Sequence, residues 1–283
     1  MGGSSTTSRA PVGSAPANGV SGAPGDLLFV TEGVRGLAGL AAWPLSLQIA
    51  RLAPRGAGRP VLVLPGLLAG DLSTRPLRSF LRGHGFRVHG WQLGRNIGPT
   101  PRVEAGLRAR LAALVERYEA PVAVLGWSLG GIYARAVAAE RPDLVAQVIT
   151  LGTPFAMKHA GQTRAQATYD RYAHLHAHGT GLPVPPQVRG PLPVPACSIW
   201  SRQDGIVSWR ASVETPSASA ENIAVIGSHL GLGYNPAVLW AVADRLAQPT
   251  GRWRPFDPPR WLRPLYPAVP PELAGRPLTS RAV

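Results

Sequence analysis

The stretch PVAVLGWSLGGIYARAVAAE, residues 121–140, constrains this chain more than any other. Its first part is a continuous apolar run, the pattern of a strand buried on both faces. Its last part reads as a helix that stops before Pro142. Between them lies Gly126-Trp127-Ser128-Leu129-Gly130-Gly131. A lone hydroxyl between a buried strand and a helix, with glycine on both sides, implies a sharp turn at Ser128. The glycines let strand and helix approach closely, and the helix points its N-terminus back at the hydroxyl.

The rest of the chain repeats this rhythm. From about residue 60, short apolar runs alternate with helix-like segments, which predicts βαβ units and a mostly parallel sheet. VLVL (61–64), FRVHGW, PVAVL, LVAQVITL, CSIWS and NIAVIG read as strands. TRPLRSFLRGHG reads as a helix ended by Gly83 or Gly85. VEAGLRARLAALVERY carries a helical apolar stripe at Val103, Leu107, Leu111, Leu114 and Val115. PAVLWAVADRLAQ is a late helix opening on Pro236. Upstream, residues 33–53 read as a helix or helix pair, kinked at Pro44 and amphipathic enough to pack on the sheet. Contact with a membrane surface is the sharper alternative for that segment. Between Pro154 and Pro195 the rhythm breaks, with TRAQATYDRYAHLHAH expected to be helical and GTGLPVPPQVRGPLPVP poor material for either element. Long insertions of this kind are often functional lids.

A serine hydroxyl is a weak nucleophile until a base takes its proton. Gly-x-Ser-x-Gly in a strand–turn–helix setting therefore demands a histidine and an acid further on, each at a strand end. Asp204 follows the run SIWSRQ, and its carboxylate would fix the tautomer of an imidazole. His229 follows NIAVIGS in a glycine-rich loop before the last helix. Ser128, Asp204 and His229 are thus the predicted nucleophile, acid and base, with Glu214 and Glu221 as backup acids. Two backbone N–H groups are expected to bind the oxyanion: that of Leu129, at the helix start, and that of Leu67, in LPGLLAGD after the first core strand. Leu68 is the alternative in that loop, because its register is not legible. His84 and His89 precede the serine, in a helix end and a strand. His159, His174, His176 and His178 fall in the lid and read as solvated side chains rather than a metal set. No cofactor or metal is expected.

Composition narrows the class further. With 283 residues, 45% of them hydrophobic, the chain can build one large core. The expected organisation is a disordered leader (1–25), an α/β domain (26–250) with a lid at about 154–195, and a basic Pro/Trp-rich tail (251–283). The leader has no apolar signal region, although Met1-Gly2 followed by Thr6 matches a myristoylation pattern. Cys197 is the only cysteine, so no intrachain disulfide forms and a cytoplasmic setting is expected. Net charge is +14, almost all from arginine, since Lys158 is the only lysine. The arginines are scattered and no nucleic-acid motif is present, so no nucleic-acid partner is expected. The tail GRWRPFDPPRWLRPLYP is suited either to peripheral contact with an anionic membrane or to folding back on the body.

VLVLPGLLAGD, GWSLGG, RPDLVAQVITLGTPF, DGIV and GSHLGLG together resemble the α/β-hydrolase superfamily, over about residues 58–248. The Leu-Gly-Thr-Pro run resembles bacterial triacylglycerol lipases and related esterases. That resemblance implies an α/β-hydrolase fold, a mostly parallel central sheet with helices on both faces and a small lid. It also implies a serine carboxylester hydrolase acting on an apolar acyl ester, small-molecule or lipid. The same three residues would serve an acyltransferase or thioesterase, and a non-catalytic, lipid-associated binding protein is the alternative from another class. The chain departs from those lipases at Trp127, where they commonly have histidine, at Pro65-Gly66 in place of His-Gly, and at Phe155-Ala156-Met157 after the Thr-Pro.

Overall fold

Each continuous apolar run becomes a buried strand, and the strands alternate their side chains between two cores. The computed structural model describes residues 22–177, 184, 186–249 and 251–274. Its six strands are β1 (Pro60–Leu64), β2 (Arg87–Gly90), β3 (Val122–Trp127), β4 (Val145–Leu151), β5 (Ala196–Ser201) and β6 (Ala220–Val225). They form one sheet of order β2-β1-β3-β4-β5-β6, and every neighbouring pair is parallel. The chain runs outward from β1 to β2, returns to β3, then continues in one direction. The switch therefore falls between β1 and β3, and the carboxyl ends of strands at such a switch form the usual crevice for ligands.

The helices are α1 (Asp26–Ala41), α2 (Trp43–Ala50), α3 (Arg75–Gly83), α4 (Pro101–Tyr118), α5 (Leu129–Glu140), α6 (Gln166–Asp170), α7 (Pro186–Arg189) and α8 (Pro236–Ala247). Val61 and Val63 of β1 face a core shared with α2, α3 and α8, while Leu62 and Leu64 face α4 and α5. The stripe of α4 is buried at Val103, Leu107, Leu111 and Leu114, whereas Val115 is only partly covered. Thr100 caps α4 by accepting the Val103 N–H at 3.2 Å, and left-handed Glu119 ends it. Asn235 caps α8 through Ala237 and Val238.

Two segments differ from the sequence expectation. The upstream helix begins at Asp26, not Gly33, and is a pair in which Pro44 opens the second helix instead of kinking one. Only α2 packs on the sheet core. α1 leaves Leu27, Val30, Val34 and Leu37, one helical stripe, 68–77% exposed. In 163–178 the helix is confined to α6 and a single 3₁₀ turn at Ala173–Leu175, and His178 lies outside the described residues. The leader's first 21 residues, with Thr6, and residues 275–283 of the tail are also outside them.

Residues 251–274 lie across α8 and β6. Leu262 is buried, Trp261 meets Trp240 edge-on, and the Tyr266 hydroxyl donates to the Ala237 carbonyl at 2.8 Å. Buried Arg245 pairs with Glu221 and Asp244 and also donates to the Arg254 carbonyl, which fastens this segment to the domain. Among the described residues no helix is long and apolar enough to cross a membrane.

Candidate active site

The turn after β3 is possible only with the glycines the sequence places there. Ser128 has φ 52° and ψ −122°, a conformation L-residues rarely adopt and one that costs about 1–3 kcal/mol. Its N–H donates to the Leu151 carbonyl at 2.8 Å, which pins the turn to the end of β4. A Cβ on Gly126 would strike the backbone of Gly130 and Gly131; one on Gly130 would strike the Leu64 carbonyl; one on Gly131 would strike Thr153. Strand, turn and helix are in backbone contact, and no side chain fits between them.

Asp204 and His229 come from the loops after β5 and β6 and meet beside this turn. Asp204 Oδ1 accepts the N–H groups of Ile206 (2.8 Å) and Val207 (2.7 Å), and Oδ2 is 2.6 Å from His229 Nδ1. Both side chains are buried. Burial favours the neutral ring, but the adjacent Asp204 charge and hydrogen bond, with Glu32 behind them, outweigh it and raise the His229 pKa above its ordinary 6.5. The pair sits against the end of β4, since a Cβ on Gly152 would lie 3.0 Å from both Asp204 Oδ2 and His229 Nδ1. Trp127 Nε1 donates to the His229 carbonyl at 3.2 Å, joining the residue before the serine to the backbone of His229. The Ser128 hydroxyl itself makes no hydrogen bond among the described residues. Contacts of this type commonly tighten only when substrate binds.

The loop after β1 closes the other side. Gly66 abuts the turn, its would-be Cβ 3.2 Å from Ser128 Cβ. Leu68, with φ 60°, donates its N–H to the Asn96 carbonyl at 2.6 Å, so the alternative oxyanion donor is already engaged. The N–H groups of Leu67 and Leu129 donate to nothing among the described residues. Buried Asn96 organises the loop: its side chain donates to the Pro65 carbonyl at 2.8 Å and accepts from Tyr133 (3.1 Å) and Gly98 (3.2 Å).

Ser128, Leu67 and Leu129 line a mostly apolar cavity of about 410 Å³ between α4, α5 and the 154–195 segment. Val103, Leu107, Ile132, Met157, Tyr169 and Val188 supply much of its wall, and Glu104, Arg108 and Glu140 also border it. The cavity is small to medium by the standard of ligand pockets, which span roughly 300–1,000 Å³. Arg135 of α5 ties Phe155, Val188 and Gly190 together beside it. The guanidinium lies 3.8 Å above the Phe155 ring, donates to the carbonyls of Val188 and Gly190, and forms a buried ion pair with Glu214.

The remaining candidates lie elsewhere in the fold. Glu214 and Glu221 serve Arg135 and Arg245, not His229. His84 and His89 bond to the Phe80 carbonyl and the Tyr118 hydroxyl. His176 Nε2 lies 2.9 Å from the Ile97 carbonyl, docking its segment on the Asn96 loop, so it is not a freely solvated side chain. Among the described residues no three His, Cys, Asp or Glu side chains gather as a metal site. Sequence reasoning did not find Asn96 or Glu32. The one available signal for Glu32 was an isolated carboxylate inside the apolar helix DLLFVTEGVRGLAGLA.

No family model matches the chain, and no curated protein matches it. Solved structures do. Aspergillus fumigatus lipase B matches at a TM-score of 0.52 and 16% identity, over 68% of this chain and 53% of that one. The chain thus spans about half the length of that lipase. A 2-hydroxy-6-oxo-6-phenylhexa-2,4-dienoate hydrolase from a Rhodococcus strain matches at 0.48 and 14%, over 67% and 90% of the two chains. The thioesterase domain from the curacin biosynthetic pathway matches at 0.43 and 12%, over 69% and 93%. Identities this low speak to architecture. The chain has the α/β-hydrolase fold.

Proposed function

We propose that the chain is a serine carboxylester hydrolase for esters with an apolar acyl group. The observation that carries this is the opening of the Ser128 turn onto the apolar cavity, beside two N–H groups unpaired among the described residues and near the His229–Asp204 pair. In the proposed course His229 Nε2 takes the Ser128 proton as Oγ attacks the ester carbonyl carbon. The N–H groups of Leu67 and Leu129 receive the oxyanion. The imidazolium, held upright by Asp204, returns the proton to the departing alcohol and leaves an acyl-serine. Water activated by the same imidazole then releases the acid.

Ser128→Ala tests the reading. Turnover of p-nitrophenyl esters of graded acyl length is expected to fall by about 10³-fold or more, with an unchanged circular dichroism spectrum. A fluorophosphonate is expected to label the native chain at Ser128 and not the variant. Undiminished turnover in the variant would sink the proposal, and absence of labelling in the native chain would favour a non-catalytic lipid-associated binder. The same acyl-serine would supply acyl transfer or thioester hydrolysis. Product partition between water and added alcohols or thiols separates these.

A further inference from the structure

We propose that Glu32 of α1 is a positioning residue that sets the Asp204–His229 pair. The inference rests on the reading above, that this pair activates Ser128. Glu32 is 2% exposed, yet it lies on a helix outside the sheet. Its Oε2 accepts the Gly205 N–H at 2.9 Å, one residue past Asp204. Its Oε1 accepts the Leu230 N–H at 2.7 Å, one residue past His229. One carboxylate thus bridges the two loops that carry the acid and the base.

The surroundings are built for that bridge. Arg35, on the same helix, donates to Glu32 Oε2 at 2.9 Å and to the Gln203 carbonyl at 2.7 Å, just before Asp204. The carboxylate is therefore oriented from one side while both of its oxygens hold loop backbone. α1 can come this close because its inner face is glycine: a Cβ on Gly36 would lie 2.8 Å from Leu230 Cβ. Gly205 in turn lies under the Leu28 carbonyl and Glu32 Oε2. The charged groups facing the His229 ring are Asp204, from the loop after β5, and Glu32, from α1, with Arg35 as Glu32's counter-ion. Glu32 adds to the Asp204 charge, so it favours the imidazolium that forms when the serine proton is transferred. Acceptors that fix a base's neighbours to a fraction of an ångström act on the rate more than on binding, because misplacement near 1 Å costs about 10²-fold.

The test uses the full chain and p-nitrophenyl butyrate, with kcat and KM measured across pH. Glu32→Gln keeps the shape but loses the charge and one of the two acceptors. It is expected to lower kcat by about 10- to 100-fold with KM nearly unchanged, and to move the acid limb of the profile to lower pH. Glu32→Asp keeps the charge but is too short to reach both loops, so kcat falls while the limb stays in place. If Glu32→Gln does not fold, Glu32→Asp carries the test through its kcat. A folded Glu32→Gln with native kcat and native limb overturns the proposal, even if its melting temperature drops, because that pattern marks a merely structural contact. Fluorophosphonate labelling of the native chain separates the two failures. Without labelling the underlying reading fails; with labelling and indifferent Glu32 variants, only this inference does.

Discussion

The two halves of the proposed site are held by different means. On the serine side the chain touches itself backbone to backbone: Gly126, Gly130 and Gly131 let β3, the turn and α5 close on β1 and on Thr153. The turn itself depends on no long side chain, and only the loop after β1 leans on one, Asn96. On the acid–base side the loops after β5 and β6 are held by side chains reaching across: Asp204 to Ile206, Val207 and His229, Trp127 to the His229 carbonyl, Glu32 to Gly205 and Leu230. The first half is rigid because it has no room. The second is rigid because its polar groups are matched. The first should therefore fail through bulk, and the second through charge.

Asp204→Asn attacks the matched half and should have the larger effect, a loss of about 10⁴ in kcat with the fold kept, since the amide no longer fixes the imidazole tautomer. The pH profile sharpens this. His229 must be neutral to accept a proton, and its pKa is raised above 6.5, so activity is expected to disappear as pH falls through a value above 6.5. In Asp204→Asn the principal force holding that value up is gone, and the limb should shift acidwards. A limb that stays put would mean another group sets it. Gly130→Ala attacks the crowded half. The added methyl meets the Leu64 carbonyl, so both stability and rate should fall, by about 1–3 kcal/mol in unfolding and about 10²-fold in kcat/KM. Chemical denaturation and ester turnover read the two. The smallest effect comes from relieving the turn. Ser128→Gly should be more stable than Ser128→Ala by about 1 kcal/mol, because glycine accepts φ 52° without strain. Equal melting temperatures would show that the turn stores nothing.

The sheet was legible because a doubly covered strand has no polar face, so β1 and β3 read as unbroken apolar runs and β4 as one broken only by Gln147 and Thr150. The turn was legible because its glycines are forced by contact. The start of α1 was not, since Gly25 offers no side chain to cap it. The 163–178 segment misled because its helix-forming residues dock by individual contacts, such as His176 on the Ile97 carbonyl, rather than along one apolar face. Asn96 and Glu32 were invisible for a further reason. Most of their partners are backbone N–H and C=O groups, which every residue carries and no pattern marks; Tyr133 and Arg35 are the side-chain exceptions. Trp127 read as a departure from the lipase pattern. In the structure its indole holds the backbone of His229, a contact that only the folded chain brings together.

The contacts of Glu32 also set an order in time. The groups it holds lie 173 and 198 residues further along the chain. At about 5–20 residues per second, a ribosome delivers the second of them roughly 10–40 s after Glu32 itself. Through most of that interval α1 has neither loop to sit on, and its carboxylate lacks both of its backbone donors. β1 to β4 and the serine turn are made earlier, so a growing chain holds its proposed nucleophile well before it holds an aligned base. Hydrolytic competence would arrive late and abruptly, with the last sixth or so of the described chain, when one of its first residues finally finds its partners.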